Sequence, residues 1–240
     1  MEPLTGKVAL VTGGSRGIGL AIARALAADG VKVSVTGLSD AHLSAARSKI
    51  ESAGPSSVET LRADVRKHDD IERAINATVG RFGGLDILIN NAGIGIFAEV
   101  ADMTPAQFAD VIDTNLTGIY NACHAAIPHL RRRGGGSIVN ISSLAGSNPF
   151  VKAAAYCASK AGVNAFSEAL MQEVRYDNIR VSVVAPGSVA TEFAQGDASK
   201  GNDWKVSADE VAEVVINLLR HPARSLPSRV ELRPTRPPKK

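Results

Sequence analysis

Tyr156 and Lys160 stand four residues apart, the spacing that puts two side chains on one face of a helix. Val163, Phe166, Leu170 and Val174 continue at helical spacing after them, so the segment reads as a helix. A phenol beside an ammonium can move a proton. A free phenol has a pKa near 10, so a base working near neutrality needs a downward shift of roughly three units, about 4 kcal/mol. An ammonium about 4 Å away, at an effective dielectric near 20, supplies about 4 kcal/mol before its own desolvation is counted. Alone, a Tyr and a Lys one turn apart more often describe a packed ring beside a lysine stem. Ser143, thirteen residues earlier at the end of a strand-like run, adds a hydroxyl that can donate to a substrate oxygen; its neighbour Ser142 offers the same group.

A second chemistry lies near the N-terminus, in Thr12-Gly13-Gly14-Ser15-Arg16-Gly17-Ile18-Gly19. Between a strand and a helix, such a turn can seat a dinucleotide pyrophosphate on free helix N–H groups. Gly13 permits the tight turn, Gly17 a close approach of backbone to phosphate, and Gly19 the packing of helix on strand. The spacing differs from the commoner G-x-G-x-x-G. About 20 residues past the glycines, an NAD-binding turn carries an acid for the ribose 2′-hydroxyl. Here the residues are Thr36-Gly37-Leu38-Ser39, and the first carboxylate, Asp40, reads as a cap of the following helix. Arg16 can pair with a 2′-phosphate, with Thr36 or Ser39 adding hydroxyl donors, which favours NADP and leaves NAD as the alternative.

These residues need a scaffold. β-rich runs at Lys7–Thr12, Lys32–Thr36, Val58–Arg62, Ile87–Asn90, Ser137–Ile141, Arg180–Ala185 and Arg229–Arg233 alternate with helical patterns. Runs so continuously apolar are strands covered on both faces, which predicts an α/β fold: a Rossmann-type doubly wound, seven-stranded parallel sheet with helices on both sides. Gly30 is placed to stop the first helix, and Thr104 to Gln107 and Ser207 to Glu210 match capping boxes. With 240 residues and no linker, residues 1–233 read as one domain, followed by a basic, proline-rich tail, 234–240, that reads as disordered.

Charge supports this. Of the net +3, four positive charges lie in the last eight residues, so the rest of the chain nets −1, and no basic stripe suggests nucleic acid. No apolar run approaches a membrane span, no leader pattern opens the chain, and Cys123 and Cys157 have no partner at metal-ligand spacing. The expectation is a cytoplasmic protein without a metal.

The glycine turn, Asn90-Asn91-Ala92-Gly93, Asn115, Ile141-Ser142-Ser143, Tyr156-Cys157-Ala158-Ser159-Lys160 and Pro186-Gly187 occur in an order that resembles the short-chain dehydrogenase/reductase family, over residues 5 to about 195. The resemblance implies an NADP(H)-dependent enzyme interconverting a ketone and a secondary alcohol. Tyr156 would exchange the proton, Ser143 orient the substrate oxygen, and Lys160 lower the phenol pKa and hold the nicotinamide ribose. Asn115 would anchor a water that links Lys160 to solvent. Besides Gly13, Ser15, Arg16, Gly17, Ile18 and Gly19, the cofactor would meet Asp64 and Val65 at the adenine, and Asn91 and Gly93 at the adenosine ribose. Pro186, Gly187, Val189 and Thr191 would meet the carboxamide.

Two long helices resemble the family's dimer-forming pair, which implies a homodimer or homotetramer. The usual glycine pair after the last strand is absent, and Leu38 stands where many NADP-dependent members have arginine. Ile94, Ile96, Phe97, Leu144 and Phe150, with a lid over Ser188 to Val206 that carries Phe193 and Trp204, suggest an apolar substrate such as a 3-oxoacyl thioester or another carbonyl compound. An NADP-binding regulator or scaffold without turnover is the rival reading, against which the intact Asn115, Ser143, Tyr156 and Lys160 set argues. A sugar-nucleotide epimerase would need an added substrate domain for which there is no room.

Overall fold

Strands covered on both faces must send successive side chains into two different cores. In the computed structural model, which describes residues 2–194 and 203–238, they do. β1 (Val8–Val11) points Ala9 and Val11 to one side and Leu10 to the other; β4 (Ile87–Asn90) splits Ile87 and Ile89 from Leu88 in the same way. The first core lies under α1 (Gly17–Ala28), α2 (Asp40–Glu51) and α7 (Ala208–Leu219). The second lies under α3 (His68–Phe82), α5 (Gly118–Arg132) and α6 (Ala154–Val174).

With β2 (Lys32–Gly37), β3 (Val58–Arg62), β5 (Gly136–Ile141), β6 (Ile179–Pro186) and β7 (Arg229–Leu232), the sheet has the order β3-β2-β1-β4-β5-β6-β7 and every pairing is parallel. This is the Rossmann-type doubly wound arrangement. The chain walks outward from β1 to β3, then returns to β4 on the other side of β1. Between β1 and β4 the crossovers part, opening a crevice at the strands' carboxyl ends. Strand limits move little from the sequence reading; β7 stops at Leu232 rather than Arg233. Residues 233–238 form neither helix nor strand, and Pro234 lies against Gly187, where a Cβ would be 3.0 Å from Pro234 Cδ.

Both capping boxes form, at Thr104 and Ser207. Gly30, at φ +76°, takes the left-handed conformation that turns the chain from α1 into β2. The helix begun by α4 (Pro105–Ile112) does not end there: it passes through a π turn, Asp113–Thr117, directly into α5. Among the described residues no helix is long and apolar enough to cross a membrane.

A line of buried amides crosses the sheet beneath the crevice. Asn90 Nδ2 donates to Asn140 Oδ1 (2.8 Å), Asn140 Nδ2 donates to Ser167 Oγ (2.8 Å), and Ser167 Oγ donates to the Val163 carbonyl (2.6 Å). Strands β4 and β5 and helix α6 are thereby locked in register. Asn140→Ala leaves a donor on Asn90 and an acceptor on Ser167 without partners, at about 1–3 kcal/mol each. We expect urea denaturation to show a loss of about 3 kcal/mol; a loss under about 1 kcal/mol would mean the line does not hold the elements together.

Candidate active site

At the crevice, the turn after β1 folds back on itself. Gly13 has φ +62°, and a Cβ there would lie 2.9 Å from Ala92 Cα; at Gly19 it would lie 2.4 Å from both Asn91 Nδ2 and the Gly13 carbonyl. Thr12 Oγ1 accepts from the N–H groups of Asn91 (3.0 Å) and Ala92 (3.2 Å). Asn91 Nδ2 in turn donates to the carbonyls of Thr12 (3.0 Å) and Gly13 (3.1 Å). Asn91 Nδ2 therefore clamps the turn, with both of its hydrogens taken. Thr12 was not singled out from the sequence; its place between a strand and the first glycine was the available signal.

The N-terminus of α1 has no side-chain cap and no acid in its first turn. Its uncompensated N–H groups and dipole suit an anion. Gly17, at φ +55°, is open, with only the Thr191 side chain within 4 Å of where a Cβ would be. Ser15 Oγ lies against Gly37 at the end of β2, 3.0 Å from where its Cβ would be. These residues fit a dinucleotide pyrophosphate.

Past the pyrophosphate position, Arg16 is well exposed and meets Glu192 at 3.5 Å. Ser39, not Asp40, caps α2: Ser39 Oγ accepts from the His42 N–H, which keeps its own hydrogen for a ligand. Asp40 turns away to Arg62 at 3.4 Å. Thr36 corrects the reading from sequence. It is wholly buried, with Oγ1 lacking a partner, because β2 is covered on both faces and Thr36 points into the layer opposite Val33 and Val35. It cannot reach a ligand. Asp64 is also otherwise engaged: its carboxylate accepts from Arg66 at 2.7 Å, which holds its pKa below the usual range, and Arg66 also bonds Asp110 at 2.9 Å. Val65 packs into the second core against Gly118.

The proton-transfer groups converge. Ser143 follows β5 and heads a 3₁₀ turn, where its Oγ accepts from the Ala145 N–H at 3.1 Å and lies beside the Tyr156 phenol. Ser142 is separated from it by burial: its Oγ donates to Asn164 Oδ1 at 2.7 Å, facing away from Tyr156 into α6. Lys160 is 4% exposed, and its Nζ donates to the Ile141 carbonyl at 2.8 Å and sits 5.9 Å from the Tyr156 ring centre. Gly93 covers it; a Cβ there would be 3.7 Å from Nζ and 3.2 Å from Asn115 Oδ1.

One expectation changes. Burial pushes the Tyr156 phenol up, outweighing the nearby Ser143 hydroxyl that lowers it, and burial lowers Lys160 to about 8. Burial, rather than the neighbouring amine, sets the direction of the phenol's shift. Asn115 lies in the π turn with both amide hydrogens taken: Nδ2 donates to the Ile94 carbonyl (2.9 Å) and Ser159 Oγ (3.0 Å), while Oδ1 accepts from the Ile94 N–H (2.8 Å). Ser159 Oγ continues to the Tyr156 carbonyl at 2.7 Å. Asn115 is thus a brace between the loop after β4 and the helix carrying Tyr156 and Lys160.

The carboxamide candidates line the end of β6. Pro186 pairs with Leu232, and Gly187 abuts Leu144, 3.0 Å from where its Cβ would be. Val189 bridges Val206 and Thr191 faces Gly17; residues 195–202 of the expected lid lie outside the described residues.

Comparison with known proteins agrees with this geometry. The chain matches the short chain dehydrogenase family over residues 7–202. It is 39% identical over 203 residues to the 3-oxoacyl-[acyl-carrier-protein] reductase FabG of Chlamydia muridarum, covering 84% of this chain and 82% of that one. A metagenomic short-chain oxidoreductase solved in complex with NADP is 36% identical, with TM-score 0.85 over 98% of this chain and 100% of that one. A short chain dehydrogenase from Mycobacterium paratuberculosis, bound to NAD, is 29% identical with TM-score 0.89 over 96% and 97%.

Lys160 also sets a pH dependence. Its folded pKa of about 8 lies below its ordinary 10.5, so between those values the folded protein binds fewer protons than the unfolded one and stability rises with pH. The penalty is present in full below pH 8 and is relieved above it. Wild type should therefore gain stability from pH 8 to 10 relative to Lys160→Met in parallel urea titrations; identical slopes would contradict a buried, desolvated amine.

Proposed function

Since the chain belongs to the short-chain dehydrogenase/reductase family and is an oxidoreductase on a nicotinamide-binding fold, we propose that it is an NADP(H)-dependent enzyme interconverting a ketone and a secondary alcohol, with Tyr156 as acid and base. The observation that carries this is the joint placement of the Ser143 hydroxyl, the Tyr156 phenol and the buried Lys160 Nζ where β5 and α6 meet the crevice. When bound, the nicotinamide supplies or accepts the hydride. Ser143, whose oxygen is held by the Ala145 N–H, donates to the substrate oxygen and polarises the carbonyl.

The raised pKa keeps the Tyr156 phenol protonated near pH 7, ready to give its proton to the oxygen as a carbonyl is reduced. Lys160, near 8, is mostly an ammonium at that pH and can return a proton to the phenol side of the site. Both protonation states suit reduction as the working direction. Asn115 fixes the distance between Gly93 and α6 within which Lys160 sits.

The preference for NADP rests on the exposed Arg16, the free hydrogen of Ser39 and the absence of an acid from Thr36 to Ser39. In this reading, residues 1–233 form the catalytic domain of a cytoplasmic homodimer or homotetramer acting on an apolar carbonyl compound.

Titration with NADPH and NADH, followed by nicotinamide fluorescence at matched salt, tests it. NADPH should bind more tightly, and Arg16→Ala should weaken NADPH about tenfold or more, the worth of a charge-assisted hydrogen bond, while sparing NADH. Tyr156→Phe should bind both cofactors normally and abolish carbonyl reduction. Tighter NADH binding would overturn the role of Arg16, and reduction surviving in Tyr156→Phe would overturn that of the phenol.

A further inference from the structure

The wall around the phenol is aromatic. Phe97 meets the Tyr156 ring edge-on, at 5.7 Å between centres and 63° between planes, and Phe193 meets it from another side at 5.8 Å and 54°. Phe150 extends the wall at 6.0 Å from Phe97, tilted 34°. All three phenyl rings remain partly open to solvent, so they are not core residues that happen to lie near the site.

Gly95 makes this closure possible. A Cβ there would lie 2.9 Å from Phe97 Cζ and 3.0 Å from Phe193 Cε1, so the two rings converge over bare backbone from segments almost a hundred residues apart. The charges beside these rings in sequence are paired. Lys152 meets Glu99 at 3.5 Å, and Glu192, next to Phe193, meets Arg16 at 3.5 Å. On the side where Phe97, Phe150 and Phe193 stand, the surface is therefore made of ring edges and faces rather than ions.

Such a wall discriminates by shape and by quadrupole. Ring edges and faces at these tilts complement another aromatic ring, which packs edge-to-face or offset against them. A flexible alkyl chain fills the same area but lacks that electrostatic match and loses rotamer freedom on binding. Resting on the ketone-reductase reading above, we propose that the substrate carries its carbonyl directly on an aromatic ring, as in an aryl alkyl ketone, and that Phe97, Phe150 and Phe193 are its specificity residues. The carbonyl carbon accepts a hydride from the dihydronicotinamide and the oxygen a proton from Tyr156, giving an aryl carbinol and oxidised cofactor. Ser143 and Tyr156 hold the oxygen while the ring lies among the phenylalanines.

The experiment compares two eight-carbon methyl ketones, acetophenone and 2-octanone, by NADPH oxidation with wild type, Phe193→Leu and Phe150→Leu. Saturation-transfer NMR runs alongside, using 1-phenylethanol and 2-octanol on protein loaded with NADP⁺. Wild type should favour acetophenone in kcat/KM by tenfold or more, and each leucine variant should bring the ratio to within about threefold of unity with the Kd for NADPH unchanged. 1-Phenylethanol alone should show saturation transfer. Equal or better reduction of 2-octanone by wild type, lost in Tyr156→Phe, would overturn the aromatic preference while leaving the reductase reading intact. An unchanged ratio in both leucine variants would remove the phenylalanines from specificity. Absence of any Tyr156-dependent reduction, with neither alcohol bound, would overturn the reductase reading and this inference with it.

Discussion

Lys160 is a cation in a place that water hardly reaches, and the structure around the site is arranged about that constraint. An ammonium taken out of water is costly unless its donors find acceptors. Here the Ile141 carbonyl at the end of β5 supplies one, and burial still draws the amine down to about 8. Holding that lysine requires α6 to lie close on the sheet. Small or hydrogen-bonded residues allow the approach: Gly93 above the amine, Ser142 between β5 and α6, Ser159 beside Asn115. The amide line from Asn90 through Asn140 to Ser167 fixes the same helix about two turns further along. A site whose proton chemistry depends on burial needs this rigidity, because a small opening toward solvent would return both pKa values toward their ordinary range.

Much of this was legible in the sequence, for reasons that are local. Strands covered on both faces leave runs such as Val8 to Val11 and Ile87 to Ile89, and two capping boxes and a left-handed Gly30 punctuate the helices between them. The glycines after β1 carry their backbone requirement in their identity, since at φ +62° or +55° side chains are disfavoured. Tyr156, Lys160 and Ser143 could be paired because helix spacing and the strand end place them.

The remainder depends on contacts between distant segments. Thr36 looks available at a strand end, yet that strand has no solvent face, so alternation alone could not say that its hydroxyl is buried. Asn91 Nδ2 and the Asp64 carboxylate look unengaged on paper; the carbonyls of Thr12 and Gly13 take the first and Arg66 the second. The phenol's direction of shift was misjudged because a four-residue spacing gives proximity and says nothing about burial. Asp113 to Thr117 reads as ordinary helix, and no residue in it announces a wider turn.

That wider turn sets how the two helices it joins face the interior. A π turn holds one residue more than the α-helical path it interrupts. Were the same residues wound as a straight α-helix instead, α4 would turn about 100° around its axis relative to α5. Val111 would leave the interior while Ile119, Cys123 and Leu130 stayed in it, and Asn115 would swing off Ile94 and Ser159. The extra residue therefore keeps both helices facing the interior while the turn carries Asn115 to Ile94 and Ser159.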